Sequence, residues 1–267
     1  MTDPIRAGYI NDRLVSIVRM SAHSHSPTPS QRQRRKEARP QELLDAALDL
    51  FVEKGFAATR SEEVAVRAGV SKGTLYLYYP SKEELLKEVI RHNMVNQIAE
   101  GVTIVRDFQG STSELLALVF TLWWERIGET RASGIMKLMM SEVRNFPEIA
   151  QFYVDEVVHP AERMVSQLVQ RGIDRAEFRT VDVPEVVHAL MAPMLFLVMH
   201  KHSIGACGVG HSIEPKAFIA THIDLVLHGL QAPAQAVPTR RATAPKKTKP
   251  TAAGRPVVKK TTGKPRS

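Results

Sequence analysis

Between positions 71 and 78 the chain reads Ser-Lys-Gly-Thr-Leu-Tyr-Leu-Tyr. Ser71, Lys72 and Thr74 bring two hydroxyls and one ammonium to what would be the first turn of a short helix, where unpaired backbone N–H groups also favour phosphate. Gly73 removes a side chain there, so the backbone can approach a partner closely. Tyr76 and Tyr78 carry rings able to pack on thymine methyls or sugars, and hydroxyls able to reach phosphates. Thr59, Arg60 and Ser61 gather at the start of a preceding helical stretch, which Thr59 with Glu62, or Ser61 alone, would cap. Lys82 follows the segment. Arg34, Arg35 and Lys36 precede it as a basic run that would lie along phosphates or enter a minor groove. These types at this spacing are suited to holding double-stranded DNA. The plainer alternatives are that Lys72 and Lys82 are solvated, that Tyr76 is structural, and that the basic run gives nonspecific attraction alone.

Other chemistries find less support. His200, His202, Cys207 and His211 are the one metal-like group, but their spacing matches no standard zinc pattern, and Gly205, Gly208 and Gly210 mark a loop. His188, His222 and His228 read as core or interface residues. Nucleophile elbow, P-loop and dinucleotide fingerprints are absent from the sequence. The expectation is a protein that is not an enzyme, with no cofactor and no metal. Its single cysteine, Cys207, excludes an intrachain disulfide and fits a reducing cytoplasm.

The elements that must position the 71–78 segment are helical. Of the net charge of +8, residues 231–267 hold ten Lys/Arg and no acid, and residues 1–35 contribute +4, which leaves residues 36–230 at −6. Both tails lack helical or strand periodicity, so residues 1–35 and 231–267 are expected to be disordered, the second as a Lys/Pro/Ala-rich polycation. Met20 is a candidate true start. From Lys36, one stripe joins Leu43, Leu44, Ala47, Leu48 and Phe51, and Gly55 ends that helix. Ser61 to Ala68 forms a second helix, Gly69-Val70 a turn, and Lys72 to Tyr78 a third helix capped by Ser71 and stopped by Pro80. Leu75 and Tyr79 face the core. Ser81 with Glu84 forms a capping box for a long helix striped with Leu85, Leu86, Val89, Ile90, Met94, Ile98 and Val102. Five more helices follow, around 114–127, 132–145, 147–172, 184–204 and 215–230, with Pro160 expected to kink the third of them.

The fold is therefore all-α with about nine helices. A three-helix domain with a helix-turn-helix at residues 36–82 precedes a larger bundle at 83–230. The stretch from Leu44 to Leu86 resembles the DNA-binding domain of the TetR/AcrR family almost throughout. The most telling matches are Phe51, Gly55-Phe56, Thr59, Val64-Ala65, Ala68-Gly69-Val70, Ser71 to Tyr76, Tyr79, Ser81-Lys82 and Leu85. Arg60 stands where that family usually has Ser or Thr, and Tyr78 where His is common. Glu142-Val143-Arg144-Asn145-Phe146-Pro147-Glu148 is similar to many AcrR-like members. The resemblance implies a cytoplasmic, nucleoid-associated homodimer with a ligand-binding and dimerisation domain, usually a repressor relieved by a small molecule.

In the bundle, Val186 to Met199 is apolar nearly all round but spans only 14 residues, short of a membrane helix, so no membrane partner is expected. Both its faces should be buried, and Val187, Leu190 and Met194 with Phe218, Ile219, Ile223, Val226 and Leu230 are expected to pair two copies in a four-helix interface. Trp123, Trp124, Met136, Met139, Met140, Phe152 and Tyr153 offer adaptable walls for an unknown small-molecule effector, or ordinary core packing. Two rival functions remain: an architectural DNA-binding protein carried by the lysine-rich tail, and a helical ligand-binding module with a non-reading helix-turn-helix.

Overall fold

Amphipathic stripes give a chain whose described parts are helices. The computed structural model describes residues 31–208 and 212–231, with residues 31–38 described along the backbone alone. Nine helices are found among the described residues: α1 (Gln31–Lys54), α2 (Ser61–Arg67), α3 (Lys72–Tyr78), α4 (Lys82–Ile90, a π turn at Arg91–Val95, then Asn96–Asp107), α5 (Thr112–Trp123 with a π turn at Trp124–Gly128), α6 (Ser133–Glu142), α7 (Pro147–Tyr153, a π turn at Val154–Val158, then His159–Asp174), α8 (Val183–Lys201) and α9 (Pro215–Leu230). No strand occurs among them, and the single antiparallel bridge joins Phe178 to Gln231. The expected tails lie outside the described residues, except that Gln231 pairs with Phe178 and α1 begins at Gln31, five residues before the helical start expected at Lys36.

Several helix ends obey local chemistry. Ser71 accepts the N–H of Thr74 at 3.1 Å, and Ser81 that of Glu84 at 3.1 Å. The reciprocal half of the expected Ser81 box is replaced, because the Glu84 carboxylate pairs with Lys87. The start of α2 also differs from expectation. Its N-cap is Arg60, whose N–H is accepted by Glu63 at 3.2 Å, while neither Thr59 nor Ser61 caps it. Pro160 does not break α7. Its ring would crowd the carbonyl of residue 156, and that carbonyl lies in the wider π turn just ahead.

Two cores result. The first gathers Leu43, Leu48 and Phe51 of α1, Phe56 of the loop that follows, Val64 and Ala65 of α2, Leu75 of α3 and Leu85, Leu86, Val89 and Ile90 of α4, together with Ile135, Leu138 and Met139 of α6 and Ile149 and Val157 of α7. The core beneath the helix-turn-helix thus runs well past residue 82. At its edge Gly134 lies against Val52, where a side chain would collide. The second core joins α5, the latter part of α7, α8 and α9 through Leu115, Leu116, Phe120, Leu168, Leu190, Val198 and Ile223. Val102, expected on the α4 stripe, is exposed; Ile98 and Val105 carry the buried face.

Candidate nucleic-acid interface

A helix of seven residues is not stable alone in water, so α3 needs anchors. Leu75 is fully buried and Tyr79 nearly so, and the Tyr79 hydroxyl donates to the carbonyl of Pro40 on α1 at 3.3 Å. Each buried anchor contributes about 1.5–3 kcal/mol. At 100° per residue, Tyr78 falls on the same side as Leu75 and packs half-buried against the first core. The opposite side carries Gly73 and Leu77, with Tyr76 at its edge; all three are exposed, as is Lys72 in the first turn. Ser71 is exposed as well, with its hydroxyl bonded both to the Thr74 N–H and to the Thr74 hydroxyl. Tyr78, expected to face DNA beside Tyr76, is therefore turned toward the protein. Leu77, which is not among the expected contact residues, stands outward at 82 % exposure. Its offset of four from Gly73 is the signal in the sequence that points to it.

Lys72 reaches back to Glu62 on α2, forming an exposed ion pair that holds the Glu62 carboxyl below 4.5 and raises the Lys72 ammonium above 10.5. Arg60 is exposed at the start of α2. Arg34, Arg35 and Lys36 lie on the first turns of α1, and their side chains are outside the described residues.

Three of the expected contact residues are engaged within this chain. Thr59 is 1 % exposed, and its hydroxyl donates to the carbonyls of Leu50 at 3.1 Å and Gly55 at 2.7 Å. Ser61 is buried. Lys82 donates to the carbonyls of Phe56 at 2.8 Å and Thr59 at 3.0 Å, with its ammonium over the Phe56 ring. The same loop is held from its other side by Glu142 at the end of α6, whose two carboxylate oxygens accept the N–H groups of Phe56 at 3.1 Å and Ala57 at 2.9 Å. Gly55 adopts φ +89°, and a Cβ there would strike the Glu142 carboxylate. Arg131, just before α6, adds an ion pair to Asp49 of α1. The loop leading into α2 is thus clamped between an ammonium on its carbonyls and a carboxylate on its amides. Glu142 is visible in sequence only as part of a motif. Nothing in its spacing tells that it reaches 86 residues back.

The bundle residues are distributed otherwise than the sequence suggested. Val187, Leu190, Met194, Ile219, Ile223 and Leu230 are buried within this chain's own second core, and Phe218 and Val226 pack against it. They are therefore occupied inside one subunit. α8 packs against α6, α7 and α9 and buries one face only; Phe196 remains 50 % exposed, and Leu225 on α9 67 %. By length and composition Val183–Cys207 could cross a bilayer, and 28 % of its most apolar 18-residue window is buried. The seven expected ligand residues do not line one cavity. Trp123 and Trp124 belong to the second core, Met139, Phe152 and Tyr153 to the first, Met136 touches both, and Met140 is exposed. Burial pushes the Tyr153 hydroxyl pKa upward. A cavity of about 450 Å³ does lie beside Trp124, bounded by Glu129, Leu197, His200, Lys201 and Ile213. Among the described residues no three His, Cys, Asp or Glu side chains converge as a metal site; His211 of the expected cluster lies outside them.

Known proteins share this arrangement. The profile of bacterial regulatory proteins of the tetR family matches residues 43–89, and that of the tetracyclin repressor-like C-terminal domain matches residues 109–205. The HTH-type transcriptional repressor KstR2 of Rhodococcus jostii is 26 % identical over 210 residues, covering 78 % of this chain and 98 % of its own. FadR of Bacillus subtilis, solved in complex with stearoyl-CoA, superposes with a TM-score of 0.59 at 20 % identity, over 71 % of this chain and 98 % of its own. A transcriptional regulator of Saccharomonospora viridis, solved in complex with choline, gives 0.62 at 20 % identity over 74 % and 100 %. With a helix-turn-helix whose outer face is free to meet a partner, and with both halves matched in order, the chain belongs to the TetR family of DNA-binding transcription regulators.

Proposed function

We propose that this protein is a cytoplasmic repressor that sits as a homodimer on a palindromic operator and leaves it when a small apolar or amphipathic molecule enters the bundle. The observation carrying the DNA-binding half is the split of α3: Leu75 and Tyr79 fix it to the core while Lys72, Gly73, Tyr76 and Leu77 face outward. In the complex Lys72 exchanges Glu62 for a phosphate, Tyr76 packs on a sugar or base, and Arg60 with Arg34, Arg35 and Lys36 lies along the backbone. Thr59, Ser61, Lys82 and Tyr78 hold that surface in place. The basic residues of 231–267 add sequence-independent attraction.

The dimer reading rests on the outer face of α8 and α9, where Phe196 and Leu225 are exposed on helices poor in charge. A second copy covers this face and sets two reading helices about 34–36 Å apart, one turn of duplex. The effector reading is supported by the stearoyl-CoA and choline bound to the two structural neighbours, and by the position of α6. One end of α6 is tied to α8 through Ser133 and Lys201, and the other to the reading head through Glu142. A molecule that displaces α6 alters the clamp on the head, and so favours one dimer geometry.

Footprinting of the DNA flanking the gene, with light scattering at micromolar concentration, tests this reading. The expected result is a protected site with dyad symmetry and a particle of twice the chain mass that Phe196→Glu with Leu225→Glu converts to monomer. Deleting 231–267 should weaken binding to all DNA alike and lower the salt slope by up to about 0.9 per lost phosphate contact. A wild-type monomer, or operator preference lost on tail deletion alone, overturns it.

A further inference from the structure

We infer that Leu77 reads the operator, its side chain packing on the 5-methyl group of a thymine in the major groove of each half-site. The inference rests on the DNA-binding reading above and names a residue for its specificity. Two leucines two positions apart on α3 lie in opposite environments: Leu75 is 0 % exposed and Leu77 82 %. The placement follows from helix geometry, since residues two apart point about 200° away from each other. One turn before Leu77 on the same face is Gly73. The space where its side chain would be is open, with the Ser71 hydroxyl the nearest atom at 3.8 Å. The backbone at Gly73 can therefore approach the floor of a groove, which makes Leu77 the first side chain on that face to meet a base edge.

What it can recognise is narrow. A leucine side chain neither donates nor accepts a hydrogen bond, so phosphates and the polar edges of bases offer it nothing. Of the groups displayed in the major groove, the thymine methyl is the apolar one. Tyr76, the residue before it, is exposed at the edge of this face, and the Lys72 ammonium lies 5.7 Å from the Tyr76 ring centroid, so the pair can supply the polar contacts Leu77 lacks. The flanking ammonium and the adjacent Ser71 cap make this a surface for an anionic duplex, rather than a dry protein interface.

The test uses full-length protein and a duplex it selects from random-sequence DNA. Each thymine of that duplex is replaced in turn by deoxyuracil, which keeps all hydrogen-bonding groups and removes the methyl. Affinity is read by fluorescence anisotropy. The expected result is one symmetry-related pair of positions at which uracil weakens binding, about fourfold for one half-site and about fifteenfold for both. In Leu77→Ala that sensitivity disappears, baseline affinity falls by the same factor, and the melting temperature is unchanged because the side chain lies outside the core. Three outcomes overturn the inference: no uracil-sensitive position, sensitivity that persists in Leu77→Ala but vanishes in Tyr76→Ala, or loss of dimer mass in Leu77→Ala with DNA binding intact. Failure to enrich any duplex would instead remove the DNA-binding reading, and this inference with it.

Discussion

The loop between α1 and α2 is clamped by charged side chains from two other helices, Lys82 on its carbonyls and Glu142 on its amides. The outer face of α8 and α9 shows the reverse, with Phe196 half exposed beside Phe218 and Leu225 largely exposed. Polar groups with matched partners fix orientation, because leaving either side unpaired costs more than making the bond gains. Apolar side chains left in water store stabilisation that association can use. The head is thus built for rigidity within one chain and the outer face for contact beyond it.

The contrast is sharpest at two glycines of left-handed conformation. Gly55 (φ +89°) lies against the Glu142 carboxylate, whereas Gly69 (φ +68°) has nothing within 4 Å of the place a Cβ would take. Gly69→Ala should cost backbone strain alone, about 1–2 kcal/mol. Gly55→Ala should add the loss of two charge-assisted hydrogen bonds, for a total of about 3–4 kcal/mol. Thermal unfolding should therefore place Gly55→Ala roughly 6–16 °C below the parent and Gly69→Ala roughly 2–8 °C below it. Equal losses in the two variants would show that the clamp contributes no stability.

A smaller effect tests whether the outward face of the head is held as firmly as its loop. Lys72 and Glu62 are both about half exposed, so their pair is weak and exchangeable. Because Lys72 keeps the carboxyl of Glu62 below its ordinary 4.5, the pair is intact near neutral pH and competes with DNA for the ammonium. Glu62→Gln should tighten operator binding about twofold to fivefold. Combined with Lys72→Ala, it should give no gain over Lys72→Ala alone. A gain that survives in the double variant would mean that Glu62 repels phosphate directly and the pair is incidental.

The head is legible in the sequence because its signals are local. Ser71 caps α3 three residues on, Leu75 and Tyr79 are spaced one turn apart, and Gly55 and Gly69 mark the turns. The supports are hidden for the same reason. Thr59 and Lys82 have the types of phosphate ligands, and only the folded loop shows their polar atoms turned onto carbonyls. Tyr78 and Leu77 exchange places because both fit an amphipathic helix, and the side chosen depends on how α3 docks on α1. In the bundle, an almost uniformly apolar α8 carries little phase information, so its core face and its outer face look alike in sequence. The aromatic and methionine residues of α5, α6 and α7 fall into two cores because composition says nothing of which helix lies next to which.

The weakest test lies where the bundle comes nearest to the head's way of working, at the junction of α5, α6 and α8. Lys201 donates to the carbonyls of Gly128 at 2.8 Å and Glu129 at 2.9 Å and to the Ser133 hydroxyl at 3.1 Å, and His202 Nε2 lies 2.8 Å from that hydroxyl. Burial, and then the ammonium groups of Lys201 and Lys137, lower the His202 pKa below 6.5. The folded chain therefore binds fewer protons than the unfolded chain between that lowered value and 6.5, and stability rises with pH through this window. As pH falls through it the contribution is lost, and below the folded value the dependence levels off. Because His202 is partly solvated, the effect is small, about 1–2 °C in melting temperature between pH 7 and pH 5. His202→Gln should remove that part of the slope while leaving the slope due to acidic residues below about pH 5. If the two proteins kept parallel melting curves across the window, the junction would be a packing contact like the rest of the bundle, and clamping by charge would be confined to the head.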